Sequence, residues 1–201
     1  MQSGQKVAFL GDSITGRLEF SRWLRAVLAV HGPGRGSRST VTPICRRDSP
    51  TRCRPSARTG PLKTIRDWLF LSCGVNDVWH GRNGVPLNGA AKRHHEHRGP
   101  SQAQSMNVII LTATPIGEDD NDNNHKLAAY NDFLRELASQ RKLPLADLNA
   151  SFQAVSKPLA PTSSSRILTV DGVHMNPEGN VIMAKGCLRA VGVSIERIKG
   201  I

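Results

Sequence analysis

An α/β fold, a parallel sheet covered by helices on both faces, is predicted by three observations. Short apolar runs, Val7–Leu10, Trp68–Cys73 and Asn107–Thr112, alternate with stretches of helical periodicity. The runs are apolar almost throughout, as strands buried on both faces require. The chain has 201 residues, long enough for one domain with a real core and too short for two comfortable ones.

The elements follow in order. A first strand over 6–10 ends in Gly11-Asp12-Ser13, and a helix is predicted over 17–30, with Leu18, Phe20, Trp23, Leu24, Val27 and Leu28 at helical spacing. An Arg/Pro/Gly/Ser-rich stretch, 31–66, comes next, in which only Val41 to Ile44 resembles a strand. The strand from Trp68 to Cys73 ends in Gly74-Val75-Asn76-Asp77. After a second atypical stretch, 85–106, the strand from Asn107 to Thr112 leads to an Asp/Asn-rich loop, Glu118 to Asn124, read as solvated and near the rim of the site. A helix from His125 to Arg141 places Leu127, Tyr130, Phe133, Leu134 and Leu137 on one face, and Leu143 to Leu148 reads as a short strand. Asp171-Gly172-Val173-His174 precedes Met175-Asn176-Pro177, with Pro177 fit for the first turn of a last helix to Val191.

Charge and composition narrow the function classes. The net charge of +11 is concentrated in 31–66, where nine Lys or Arg face one acid, Asp48, and to a lesser degree in 85–106. The rest of the chain is nearly neutral, so the surface is not generally cationic. An arginine-rich nucleic-acid-binding module is the competing reading from another class. It has the charge but no Phe, Tyr or Trp in 31–66 on which bases could stack. Ester hydrolysis beside salt-dependent RNA binding would tell the two apart.

No stretch approaches a membrane span, and the N-terminus shows no signal-peptide pattern. A cytoplasmic location is expected, or secretion with a leader absent from this sequence. Cys45, Cys53, Cys73 and Cys187 lack metal-ligand spacing, and His94, His95 and His97 have no second ligand cluster. Asp119, Asp120 and Asp122 lack the glycine and distal Glu of a calcium loop, and Gly32-Pro33-Gly34-Arg35-Gly36 has the wrong spacing for a dinucleotide fingerprint. No metal and no cofactor is expected.

Three short motifs remain, two after strands and one before the final helix. A serine at the carboxyl end of a strand and the amino end of a helix sits where open α/β sheets hold ligands. It needs a base to become a nucleophile, which His174 can supply. Asp171, three residues earlier, can fix the imidazole tautomer and stabilise the imidazolium. The Ser13 N–H and the Asn76 amide can stabilise a tetrahedral intermediate. Acyl transfer is the chemistry these parts share.

On these motifs the chain resembles the GDSL, or SGNH, family of serine esterases and acylhydrolases. Gly11-Asp12-Ser13-Ile14-Thr15 matches the nucleophile block, Gly74-Val75-Asn76-Asp77 the oxyanion-asparagine block, and Asp171-Gly172-Val173-His174 the acid–base block. The resemblance implies a flavodoxin-like three-layer α/β/α sandwich with a central parallel sheet of about five strands. It implies Ser13, Asp171 and His174 as the triad, with Asp12 and Asp77 beside the substrate. It also implies a small-molecule, carbohydrate or lipid ester as substrate. The family's third oxyanion donor is a glycine after the second strand; the candidate nearest in spacing is Gly60, outside an apolar-strand setting.

Segments 31–66 and 85–106 depart from this pattern. The family would place an amphipathic helix at 85–106, and permitted codons for Lys92 to Gln102, read one nucleotide later, can spell one. Both segments therefore read either as translation from a shifted frame, restored before Trp68 and Asn107, or as genuine basic insertions. With its charge and prolines, 31–66 is expected to be largely unstructured, open to trypsin, and to leave one sheet face partly open. A missing oxyanion donor costs roughly 10²–10³ in rate, so a weak, marginally stable esterase is expected.

Overall fold

The computed structural model describes residues 5, 7–31, 41–45, 67–81, 84, 107–159, 166–194 and 196, with the side chains of 28–31 and 41–45 excepted. Five strands form the sheet among them: β1 (Val7–Gly11), β2 (Val41–Cys45), β3 (Trp68–Ser72), β4 (Asn107–Leu111) and β5 (Leu145–Ala146). Every pairing is parallel, and the order is β2-β1-β3-β4-β5. The chain runs outward from β1 to β2, then crosses to β3 on the other side. The carboxyl ends of β1 and β3 thus flank the point where the winding reverses, where such sheets bind ligands.

Alternate strand residues feed two layers, as the pleat requires. Val7, Phe9, Phe70, Ile109 and Leu111 join Phe20, Leu24 and Val27 of α2 (Glu19–His31) in the main core. Leu148 and Phe152 of α5 (Leu148–Leu159) and Met183, Cys187 and Leu188 of α6 (Pro177–Ala190) complete it. On the opposite face, Ile110 packs with Leu134 and Ala138 of α4 (Asp122–Gln140). The remaining helices are short: α1 (Ser13–Gly16) and α3 (Val75–Trp79). Among the described residues no helix is long and apolar enough to cross a membrane.

At the centre Phe9 stacks on Phe70 at 4.8 Å and meets Phe20 edge-on at 5.5 Å. Phe9→Ala is expected to lower unfolding stability by about 3–5 kcal/mol, through lost burial plus the cavity left behind. Denaturant midpoints at unchanged slope measure it. A loss under about 1 kcal/mol would mean that the three rings do not organise the core.

The elements differ from the sequence reading in several places. The first helix does not start at Arg17: Leu18 takes a left-handed φ of 63°, separating α1 from α2, and the Ser21 hydroxyl donates to Leu18 O at 2.8 Å. Trp23, placed on the apolar face by periodicity, is 43 % exposed. The helix expected from His125 begins at Asp122, because the Asn121 side chain accepts the Asn124 N–H and caps it. The strand expected over Leu143 to Leu148 is confined to Leu145–Ala146, and Leu148 with residues 149–159, given no element by the sequence, forms α5, where Asp147 Oδ1 accepts the Ala150 N–H.

The segment 31–66 does supply the strand beside the first. Val41–Cys45 pairs with Val7–Gly11, Pro43 opposite Phe9. Proline is tolerated there because β2 is at the sheet edge, where a missing N–H breaks no inner ladder. Nor is the second face bare at its centre: Ala8 is fully buried and Leu69 is 8 % exposed, while Leu10 and Leu71 are half-buried. Gly60, His94, His95, His97, the rest of the basic stretch beyond His31 and β2, and all of 85–106 lie outside the described residues.

Candidate active site

The site begins with the turn leaving β1. Gly11 carries no side chain because a Cβ there would overlap the Thr15 hydroxyl. Asp12 is extended and caps α1, its Oδ1 accepting the Ile14 N–H at 3.0 Å. Ser13 thus opens the helix with its hydroxyl exposed to solvent. Burial pushes the Asp12 carboxyl above the usual carboxylate range, and hydrogen bonds from the Ile14 and Thr15 backbone only partly offset it.

A second turn brings the base. Between Arg166 and Asn176 the chain doubles back: Thr169 and Met175 form an antiparallel bridge, and the Val170 N–H donates to His174 O at 2.9 Å. Gly172 sits at the tip with φ 90°, a conformation an L side chain rarely adopts. Asp171 Oδ1 accepts the N–H groups of Val173 at 3.0 Å and His174 at 2.7 Å. Its Oδ2 meets His174 Nδ1 at 2.6 Å, and His174 Nε2 lies 2.9 Å from Ser13 Oγ. A carboxylate opposite Nδ1 requires the proton there, which leaves Nε2 as an acceptor facing the serine hydroxyl. Burial acts to raise the Asp171 pKa, but the His174 N–H, its imidazole and the Val173 N–H together hold it well below the usual carboxylate range.

The third turn follows β3. Gly74, at φ 116°, lets the chain turn sharply into α3. Asn76 is 8 % exposed. Since β1 and β3 are adjacent and parallel, Ser13 and Asn76 leave neighbouring strand ends on the same side of the sheet. Asp12 and Asp77, placed beside the substrate by the resemblance, are 1 % and 6 % exposed. Burial and then the charge of Asp77 push the Tyr130 phenol up to about 12. Gly60 cannot be placed. The chain after Cys45 contains no glycine before it.

The structure thus gathers Ser13, His174 and Asp171 into one hydrogen-bonded line at a ligand-binding edge. Residues 9–182 match the GDSL-like Lipase/Acylhydrolase family. The chain belongs to that family, one of carboxylic ester hydrolases.

An acetylxylan esterase of Geobacillus stearothermophilus is 25 % identical to this GDSL-family chain over 138 residues, 63 % of the chain. The matched stretch spans 59 % of that relative's length. Among solved structures, a catalytic mutant of an acetylxylan esterase from the same organism superimposes with a TM-score of 0.80 at 20 % identity. It covers 96 % of this chain and 97 % of that one. An alpha/beta hydrolase enzyme from the metagenome of Lake Arreo, Spain, gives 0.77 at 20 % identity over 96 % and 97 % of the two chains. At such identities the likeness is one of fold.

Sequence reasoning missed one participant in this GDSL-like site. The loop read as a solvated rim carries Glu118, whose carboxylate accepts hydrogen bonds from Ile167, Leu168 and Thr169 on the arm leading to Asp171. An isolated Glu in a polar loop gives no periodic signal that could have pointed to it.

Proposed function

We propose that this chain removes acetyl groups from carbohydrates through a serine acyl-enzyme. The observation that carries the reading is the continuous line from Ser13 Oγ through His174 to Asp171. Ser13 Oγ attacks the ester carbonyl as His174 Nε2 takes its proton, and Asp171 stabilises the imidazolium. The carbonyl oxygen, now negative, is met by the Ser13 N–H and the Asn76 amide. As the C–O bond breaks, His174 returns the proton to the departing sugar oxygen, leaving acetyl on Ser13. Water then attacks by the same route, releasing acetate and restoring the serine. Asp12 caps the turn that carries Ser13. The carbohydrate substrate class rests on the acetylxylan esterase relative.

The test compares acetylated xylo-oligosaccharides with p-nitrophenyl acetate, butyrate and longer esters. Acetate release from the sugar and a steep decline beyond butyrate are expected. A preference for long acyl chains would reject the carbohydrate-acetyl assignment. Asn76→Ala is expected to lower kcat by roughly 10²–10³, with KM little changed, because the amide acts on charge that develops only in the transition state. A change confined to KM would place Asn76 in substrate binding instead.

A further inference from the structure

We propose that Glu118 is a positioning residue of this site: its carboxylate clasps the arm 167–169 and so sets Asp171 and His174 against Ser13. The inference rests on the esterase reading for its kinetic consequences.

The turn carrying the base is closed on itself. Asp171 Oδ1 accepts from Val173 and His174, and the Val170 N–H reaches His174 O, so 170–174 is a small rigid unit. Such a unit is placed by whatever holds its arms. The outgoing arm is held by Asn176, whose N–H donates to Leu168 O at 3.0 Å and whose Nδ2 donates to Ile167 O at 2.9 Å. These bonds tie one arm to the other, and Leu168, Val173 and Met175 bury both in the main core.

Glu118 adds a directional, polar reference from outside the turn. Its Oε2 accepts the Ile167 N–H at 2.6 Å; its Oε1 accepts the Leu168 N–H at 2.9 Å and the Thr169 hydroxyl at 2.6 Å. Among the described residues no Lys or Arg pairs with it. Three charge-assisted bonds on one carboxylate make a strong, directional grip. The neighbouring Gly117 N–H donates to Gly172 O at 2.6 Å, so the same corner touches both the arm and the tip.

The corner is itself anchored to the sheet and α4. The Ile116 N–H donates to Asn124 Oδ1 at 2.9 Å, and Asn121 Nδ2 donates to Ile116 O at 2.9 Å. Farther back, the Ala113 N–H donates to Asn131 Oδ1 at 2.7 Å, fixing the exit of β4. The line therefore runs from β4 through Glu118 to the base. Misplacing a reacting group by about 1 Å can cost roughly 10²-fold in rate.

The test uses Glu118→Ala and Glu118→Gln with p-nitrophenyl acetate, rates being expressed per serine titrated by an organophosphonate. The amide of Gln has one acceptor oxygen, so it must turn an NH₂ toward at least one of the three donors. We expect kcat to fall about 10-fold for Gln and about 100-fold for Ala, with KM within about twofold. In an Asp171→Asn background the same changes should cost less than about threefold, since the carboxylate they position is gone. Leu134→Ala, in the core on the far side of the sheet, should lower Tm yet keep kcat per titrated site.

Unchanged kcat per titrated serine, or an equal loss in the Asp171→Asn background, would overturn the clasp. A second readout separates it from the esterase reading: the far-downfield proton NMR signal of the His174 Nδ1–H···Asp171 bond. That signal should be present in the wild type and broadened or lost in Glu118→Ala. A wild type inert toward esters that still loses the signal would reject the esterase reading and keep the clasp. A signal unaffected by either Glu118 change would reject the clasp alone. If Glu118→Ala fails to fold, Glu118→Gln and Thr169→Val carry the same measurements.

Discussion

Ser13→Ala is expected to lower ester hydrolysis by roughly 10⁴- to 10⁶-fold while the protein keeps its fold. The hydroxyl is exposed and buries nothing, so its removal leaves the core intact. The loss is large because serine, histidine and carboxylate act as a unit: without Oγ, the base has no proton to take. Mass spectrometry of an organophosphonate adduct should place the label on Ser13 in the wild type, with no adduct in the variant. A label on another serine, or a variant retaining a tenth of the activity, would reject this nucleophile.

Asp171→Asn should cost about 10⁴-fold in kcat, nearly as much as the nucleophile itself. An amide at Oδ2 turns an NH₂ toward Nδ1, favours the wrong imidazole tautomer and removes the charge that stabilises the imidazolium. Because the structure holds the Asp171 carboxyl well below the usual carboxylate range, it stays ionised wherever the enzyme works. Activity should therefore show no acid limb belonging to the Asp171 carboxylate. The sign for stability agrees. A carboxylate whose folded pKa is depressed stabilises the fold above its unfolded value, and that contribution fades as pH falls toward the folded one. An acid limb present in the wild type and abolished by Asp171→Asn would contradict the assignment.

A parallel sheet follows from alternation, but its edge depended on something local sequence cannot reveal. Pro43 argues against a central strand, and only its place at the edge beside β1 makes Val41–Cys45 a strand. Trp23 fell on the apolar face by spacing alone. The left-handed residue Leu18 restarts the helix at Glu19, and Trp23 ends 43 % exposed. Helix α5 is fixed by Leu148 and Phe152 reaching the core and by Asp147, which also binds Arg135 at 2.8 Å.

The three motifs are another matter. Gly11-Asp12-Ser13, Gly74-Val75-Asn76-Asp77 and Asp171-Gly172-Val173-His174 were readable from the sequence because each is a local solution to a local problem. A glycine allows a turn, an Asp caps a helix, and a carboxylate three residues before a histidine can reach its ring. Those constraints lie within a few residues and leave their mark in consecutive letters. What only the tertiary structure decided is which distant parts meet. Ser13 Oγ stands 2.9 Å from an imidazole 161 residues away, and Glu118 grips an arm about fifty residues on. Such contacts are made by the sheet bringing strand ends together, and a single carboxylate meeting two backbone N–H groups imposes no pattern on the residues around it.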